Sequence, residues 1–275
     1  MVKKILVGLA GTEYTEVAIQ RAIELAERHG AELTGVTVVD PAKISGEAVP
    51  IGGGGTATEL RQRKQEVTQQ RVEAATFSFI KLCQAADVRY RLEHEEGDAF
   101  KLMLSYSRYH DLTIFGLRSI FEYYFENVDS GGMLERLIRG GVRPIVAVSK
   151  NYRPVRRVVV AYSGSVESAK AMRRFVQMRL WPEARLNVVT FDGARGEPKT
   201  LLADAQAYCE AHGFATEVEH VSAPAKSTLL SYADDWEADM IVMGNSARNL
   251  LLRKVFGETA VHVMQNAELP LFLAQ

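Results

Sequence analysis

The stretch GNSARNLLLRKVFGET, residues 244–259, combines residue types that suit an anion. Gly244 ends the apolar run of residues 240–243 and lets backbone approach a ligand closely. Gly257 precedes a helix expected from Glu258 or Thr259, whose freed N–H groups would point at a phosphate. Arg248, Arg253 and Lys254 supply positive charge between the two glycines. Strand, loop and helix start is the context a phosphate site requires. Glycines at such positions are also common in plain connections, so the spacing alone leaves both readings open. A second polar loop, YSGSVES at residues 162–168, follows the apolar run VVVA.

Other candidate clusters carry less chemistry. LEHEEGD holds His94, Glu95, Glu96 and Asp98, but neighbours in a strand point to opposite faces, so a solvated turn is expected and no metal. Cys83 and Cys209 sit in amphipathic helix patterns and build neither a disulfide framework nor a metal site. His220 and His262 lack partners at ligand spacing. The run Gly52 to Gly55 lacks the Lys-Ser/Thr ending of a P-loop. A flexible loop, neither helix nor good strand, is expected there. No Ser-His-Asp set is legible.

The elements that position these loops occur twice. CQAADVRYRLEHEEGDAFKLMLSYSRYHDLTIFG, from Cys83, parallels CEAHGFATEVEHVSAPAKSTLLSYADDWEADMIVMG, from Cys209. The openings KKILVGLAG and RRVVVAYSG correspond, as do the closings GGVRPIVAVS and NAELPLFLAQ. A polar, basic joint near residues 149–157 divides the chain into expected domains 1–150 and 154–275. In the first copy, strands are expected at 5–9, 33–39, 88–93, 112–115 and 144–148. Helices are expected at 15–29, 59–86 and 99–108. This alternation predicts an α/β fold, a parallel doubly wound sheet flanked by helices. Ligands on such sheets bind beyond the strand C-termini where strand order reverses. The loops after the first and fourth strands are therefore the expected sites.

Length and composition bound the rest. The chain has 275 residues, so two domains are the default. A formal net charge of -1, with no long Lys/Arg run, gives no reason to expect a nucleic-acid partner. No run of about 18 apolar residues occurs, so no membrane span is expected and the protein is read as soluble and cytoplasmic.

With these motifs in place, the chain resembles a tandem member of the universal stress protein family. The pattern of that family after the fourth strand is Gly, two residues, Gly, nine residues, then Gly followed by Ser or Thr. Gly244, Ala247, and Gly257-Glu258-Thr259 fall on that frame without a gap. The resemblance implies two domains of five parallel strands each, of the adenine-nucleotide alpha hydrolase-like kind. It implies an adenine nucleotide (ATP, ADP or AMP) with its phosphates over Gly244, Ala247, Arg248 and the helix start at Gly257, Glu258 and Thr259. The first loop, Ser163, Gly164 and Ser165, would help to fix it, with adenine near Thr190 and Phe191. It further implies an intramolecular pseudo-dimer made by pairing the last strands of the two copies, with a homodimer as a further assembly. Three departures weaken the site: Ala247 for glycine, Glu258 for Ser/Thr, and Ser163 for the aspartate of the first loop.

The first copy departs further. Ala10 stands at the aspartate position, Ser119 at the second glycine, and Asp129-Ser130 at the third. IFEYYFENV, residues 120–128, is acidic and aromatic. No nucleotide is expected there, and Phe121, Tyr123, Tyr124 and Phe125 are expected to serve packing. The leading reading is a stress-response protein with weak nucleotide binding in the second copy and at most very slow ATP hydrolysis. An interaction scaffold without nucleotide is the alternative. An ATP-using enzyme would need a second substrate pocket, and none is legible.

Overall fold

The computed structural model describes residues 1–41, 54–119, 134, 136–138, 140–142, 144–244 and 258–274. The chain divides into two compact units, Lys3–Val142 and Arg143–Gln275, the latter including Met1–Val2.

In the unit Lys3–Val142, β1 (Lys4–Gly8), β2 (Glu32–Val39), β3 (Tyr90–Glu96) and β4 (Leu112–Gly116) form a parallel sheet in the order β3-β2-β1-β4. Ile5, Leu6 and Val7 are fully buried, as the continuous apolar run required. Three helices join these strands: α1 (Thr15–His29), α2 (Gly54–Ala85) and α3 (Ala99–Ser107). α1 buries Val17, Ala18, Ala22, Leu25 and Ala26 and ends at Gly30, whose φ of 63° is left-handed. α2 begins at Gly54, so Gly54 and Gly55 are helical rather than loop. The first turn of a helix has no intrahelical N–H bonds to lose, and a long helix absorbs a glycine cost of about 1 kcal/mol per residue. Gly52 and Gly53 lie outside the described residues.

The second unit holds β5 (Ile145–Val148), β6 (Arg157–Ala161), β7 (Arg185–Asp192), β8 (Thr216–Pro224), β9 (Met240–Gly244) and β10 (Leu271–Ala274). Their order is β5-β10-β9-β6-β7-β8. All pairs are parallel except β5 with β10, where Val146 faces Phe272 in an antiparallel register. β5 is the last strand of the first sequence repeat and β10 the last of the second, so the end strands pair as the resemblance implies. Helices α4 (Val166–Met178), α5 (Pro198–Ala211), α6 (Ala225–Asp235) and α7 (Glu258–Asn266) complete the unit.

One device recurs in both repeats. Asp111 Oδ2 accepts from the backbone N–H of Lys3 at 2.7 Å and of Lys4 at 3.0 Å. Asp239 Oδ2 does the same for Arg156 and Arg157, both at 2.9 Å. Each aspartate locks the start of its first strand to the start of its fourth. These are the two strands whose far ends border the reversal of strand order. In the second unit Phe175 of α4 adds an aromatic anchor. Its ring lies 5.2 Å edge-on from Phe272 and 6.2 Å from the stacked Trp181. All three are almost fully buried, each burial being worth roughly 1.5–3 kcal/mol. This anchoring fixes where α4 begins, and α4 begins at the candidate site.

Candidate functional site: a cleft at the strand ends of the second repeat

β6 lies between β7 and β9, so strand order reverses between β6 and β9. Beyond the C-terminal ends of β6, β7 and β9 lies an open cleft of about 260 Å³. Its floor includes Ala161, Met243 and Gly244 from strand ends. Its walls carry the starts of three helices: Ser165 and Ser168 at α4, Ala225 at α6, and Thr259 and Ala260 at α7.

The loop after β6 is a knot of hydroxyls. Ser165 is the N-cap of α4 and accepts from Ser168 N at 3.1 Å. The hydroxyl oxygens of Ser163, Ser165 and Ser168 lie 3.1, 3.3 and 3.2 Å from one another. Ser168 Oγ donates to the Ser165 carbonyl at 2.9 Å, which leaves it free to accept from Ser163 N at 3.3 Å. Ser165 and Ser168 are buried, whereas Ser163 is exposed at the rim.

Two of the three glycines predicted for ligand contact, Gly164 and Gly244, are required first by packing. A Cβ on Gly244 would lie 2.5 Å from the Glu167 carbonyl, so only glycine lets α4 begin against the end of β9. Gly164 has φ +69°, and a Cβ there would meet the Arg195 carbonyl at 2.7 Å. Gly244 lines the cleft; Gly164 instead seats the turn after β7, where Arg195 N donates to Ser163 O at 2.9 Å.

Of the two residues expected near an adenine, Phe191 lines the cleft and is held edge-on to Tyr232 at 6.2 Å. Thr190 is fully buried, and its hydroxyl donates to the Tyr162 carbonyl at 2.8 Å. It braces β6 against β7 and is not a lining residue. Thr259 lines the cleft, whereas Glu258 is exposed and pairs with Lys226 at 3.1 Å. Ala247, Arg248 and Gly257 lie outside the described residues, as do Arg253 and Lys254.

Sequence reasoning missed the turn after β7. Asp192, Gly193, Ala194 and Arg195 form one side of the cleft. The signal was present in DGARGEP, a turn-forming run directly after a buried strand. Asp192 and Arg195 bring one charge of each sign among the described lining residues. Tyr162 also lines the cleft, and burial, then the nearby Asp204 carboxylate, pushes its hydroxyl pKa up. It therefore acts as a neutral group.

At the same place in the first repeat the described residues are packed together. Thr12 and Thr15 stand where Ser165 and Ser168 stand in the second, and Thr12 N donates to Thr15 Oγ1 at 3.0 Å. The chain after β4 then turns back. Ser119 N donates to Gly116 O at 3.1 Å, and Ser119 Oγ lies 2.8 Å from Thr12 Oγ1. Ala10, Tyr14, Leu117 and Ser119 are all buried. The aromatic acidic stretch at 120–128 and Asp129-Ser130 lie outside the described residues. His94 Nδ1 is 2.7 Å from Thr37 Oγ1, and Glu95 accepts from the Tyr106 hydroxyl. Among the described residues, no group of three His, Cys, Asp or Glu side chains is placed to hold a metal.

The comparisons bear on the family and the fold. The family model described as the universal stress protein family matches residues 1–114 and 191–275. The chain is 23% identical to universal stress protein Slr1230 of a Synechocystis strain, over 98% of both chains. A universal stress protein structure from Archaeoglobus fulgidus superposes with a TM-score of 0.68 at 14% identity, covering 99% of this chain and 96% of that one. A putative universal stress protein structure from Pseudomonas aeruginosa gives 0.61 at 16% identity, covering 99% and 93%. Two matched segments spanning most of the chain, on a mostly parallel α/β sheet in which the same motifs recur, make this chain a member of the universal stress protein family.

Proposed function

We propose that this chain is a cytoplasmic stress-response regulator whose second repeat, residues 154–275, binds one adenine nucleotide (ATP, ADP or AMP) weakly. The first repeat, residues 1–150, holds none, and the two repeats act as an intramolecular pseudo-dimer. One observation carries the reading: three helix starts and a cluster of serine hydroxyls face one cleft at a reversal of strand order. Helix starts favour anions, and the hydroxyls can bond ribose or phosphate oxygens. Phe191 offers an apolar face for a base. The role in this reading is binding, with at most very slow ATP hydrolysis. Among the described residues, no helix is long and apolar enough to cross a membrane.

A second reading, an interaction scaffold without nucleotide, draws on the buried first loop of the first repeat and on Glu258 at the start of α7. Mass spectrometry of the small molecules released on denaturing freshly purified protein separates the two. About one adenine nucleotide per chain supports the binding reading. An empty protein that also gives no heat with added ATP or AMP supports the scaffold.

A further inference from the structure

β7 ends at the cleft with Phe191 and Asp192, and both line it. Its pairing with β8 is regular as far as Phe191, which pairs with Val221. The next residue, Asp192, pairs with Pro224, so Ser222 and Ala223 fall out of register. Such an irregularity re-aims the side chain at a strand end and is common beside ligand sites. The equivalent strand end of the first repeat, Val39, pairs with Glu96 without a shift. The acidic residue and the irregularity thus occur together, in the repeat whose cleft is described above.

The turn that follows is fixed to the loop after β6. Gly193 has φ +82°, Arg195 N donates to Ser163 O at 2.9 Å, and the Arg195 carbonyl packs on Gly164. Asp192 is therefore held at the cleft wall beside Phe191. Its side chain is 54% exposed and lies 3.9 Å from Nε2 of His220, too far for a hydrogen bond. An ionised carboxylate only accepts hydrogen bonds, and it repels a phosphate. Either edge of adenine that carries the amine also carries a ring-nitrogen acceptor, which opposes a carboxylate. The vicinal hydroxyls of ribose instead offer two donors side by side, matching the two carboxylate oxygens. In doubly wound dinucleotide folds an acidic side chain likewise accepts from a ribose hydroxyl.

We infer that Asp192 is a specificity-determining residue: its carboxylate accepts from the 2′- and 3′-hydroxyls of the ligand, so that the cleft selects ribonucleotides over 2′-deoxyribonucleotides. The inference rests on the adenine-nucleotide reading above, and it sets the ribose beside a base lying on Phe191. A ligand without the 2′-hydroxyl leaves one carboxylate oxygen without its donor. In a wholly buried site that loss is severe. At the half-exposed Asp192 water replaces the missing donor, so the discrimination is moderate.

The test is calorimetric titration of the full chain with AMP, 2′-deoxy-AMP and inosine monophosphate, for the unaltered protein, Asp192→Ala and Asp192→Asn. The position is exposed, and thermal unfolding checks that each variant remains folded. The unaltered protein should bind AMP roughly tenfold tighter than 2′-deoxy-AMP, the size of one hydrogen bond to a charged group. In Asp192→Ala the two should bind within about twofold of each other, through loss of AMP affinity. Asp192→Asn, which keeps the shape and one acceptor, should fall between. Inosine monophosphate keeps the ribose and lacks the amine, so Asp192→Ala should weaken it as much as AMP. Equal binding of AMP and 2′-deoxy-AMP by the unaltered protein, or a preference that survives Asp192→Ala, would overturn the inference while leaving nucleotide binding intact. Weakening of AMP without weakening of inosine monophosphate would assign the carboxylate to the base amine and overturn it as well. Absence of binding by any of the three nucleotides to the unaltered protein would overturn the adenine reading, and the ribose reading with it.

Discussion

At the end of β1, Ala10 is 1% exposed and Tyr14 3% exposed. At the end of β6, their counterparts in the repeat, Ser163 and Glu167, are exposed and half-buried. The loops share a left-handed glycine, Gly11 at φ 61° and Gly164 at φ 69°, and a pair of hydroxyl residues joined in opposite senses, Thr12 N donating to Thr15 Oγ1 and Ser168 N to Ser165 Oγ. They differ in how the loop after the first strand is covered by described residues. In the first repeat Leu117 and Ser119 are buried, and Ser119 Oγ lies 2.8 Å from Thr12 Oγ1. In the second Ser163, Ser165 and Ser168 line a cleft. The shared parts are those that seat a helix against two strands. In the proposed reading, the differing parts admit a ligand in one repeat and exclude it in the other. The two repeats therefore separate the requirements of the fold from those of the site.

The sharpest way to break this comparison is to place the same carboxylate at both equivalent positions. Ala10→Asp buries a charge against apolar neighbours and should cost about 3 kcal/mol or more in denaturant unfolding. Ser163→Asp lies at an exposed rim and should leave stability within about 0.5 kcal/mol. Equal effects would mean that the two loops are packed alike.

Next in size are the glycines at the ends of the fourth strands. In Gly116→Val the new side chain meets Tyr14 Cβ at 2.5 Å and Ser119 Oγ at 2.0 Å; in Gly244→Val it meets the Glu167 backbone. Each should destabilise by about 1–3 kcal/mol, read from unfolding curves. Only Gly244→Val should also abolish nucleotide binding, because it displaces the start of α4 that walls the cleft.

The repeat, the alternation of strands and helices, and the strand ends that matter were legible because each has a periodic signature. The continuous run at residues 158–160 is a buried strand, and the residues that follow it line the cleft. Less legible was why particular residues are there. Gly244 reads in sequence as a phosphate contact, yet its missing Cβ is demanded by Glu167, far away along the chain. Thr190 is a polar residue near the predicted adenine site, but its hydroxyl is used by the Tyr162 carbonyl. The fold-back of Ser119 onto Thr12 spans over a hundred residues and leaves no local pattern. The start of α2 at Gly54 was missed because local propensity argues against glycine in helices, while the length of the helix overrides it.

A smaller effect sharpens the caps. Ser165→Ala removes the hydroxyl that receives Ser168 N and should cost about 1 kcal/mol, with a severalfold loss of nucleotide affinity. Thr12→Ala in the first repeat should cost stability alone.

The smallest effect is a pH dependence in the second unit. Glu197 caps α5, accepting from Thr200 N at 2.7 Å and Lys199 N at 3.1 Å. These bonds, led by that of Thr200, hold its pKa below the usual glutamate value. Because the folded pKa is depressed, the stabilisation is present above the unfolded-state pKa and is lost as pH falls through the folded one. Glu197→Gln should therefore flatten the acid limb of a stability-against-pH curve slightly. An unchanged acid limb would show that this exposed cap contributes nothing measurable.

The measurement that bears most directly on the account is the binding stoichiometry of AMP to the full chain by calorimetry, repeated with Thr259→Asp. An aspartate in the first turn of α7 suits the helix dipole, so the fold should persist, but it sets a negative charge in the cleft wall. The account predicts one AMP per chain and loss of binding in Thr259→Asp. Two molecules per chain, or one that binds Thr259→Asp unchanged, would contradict the assignment of the site to the second repeat.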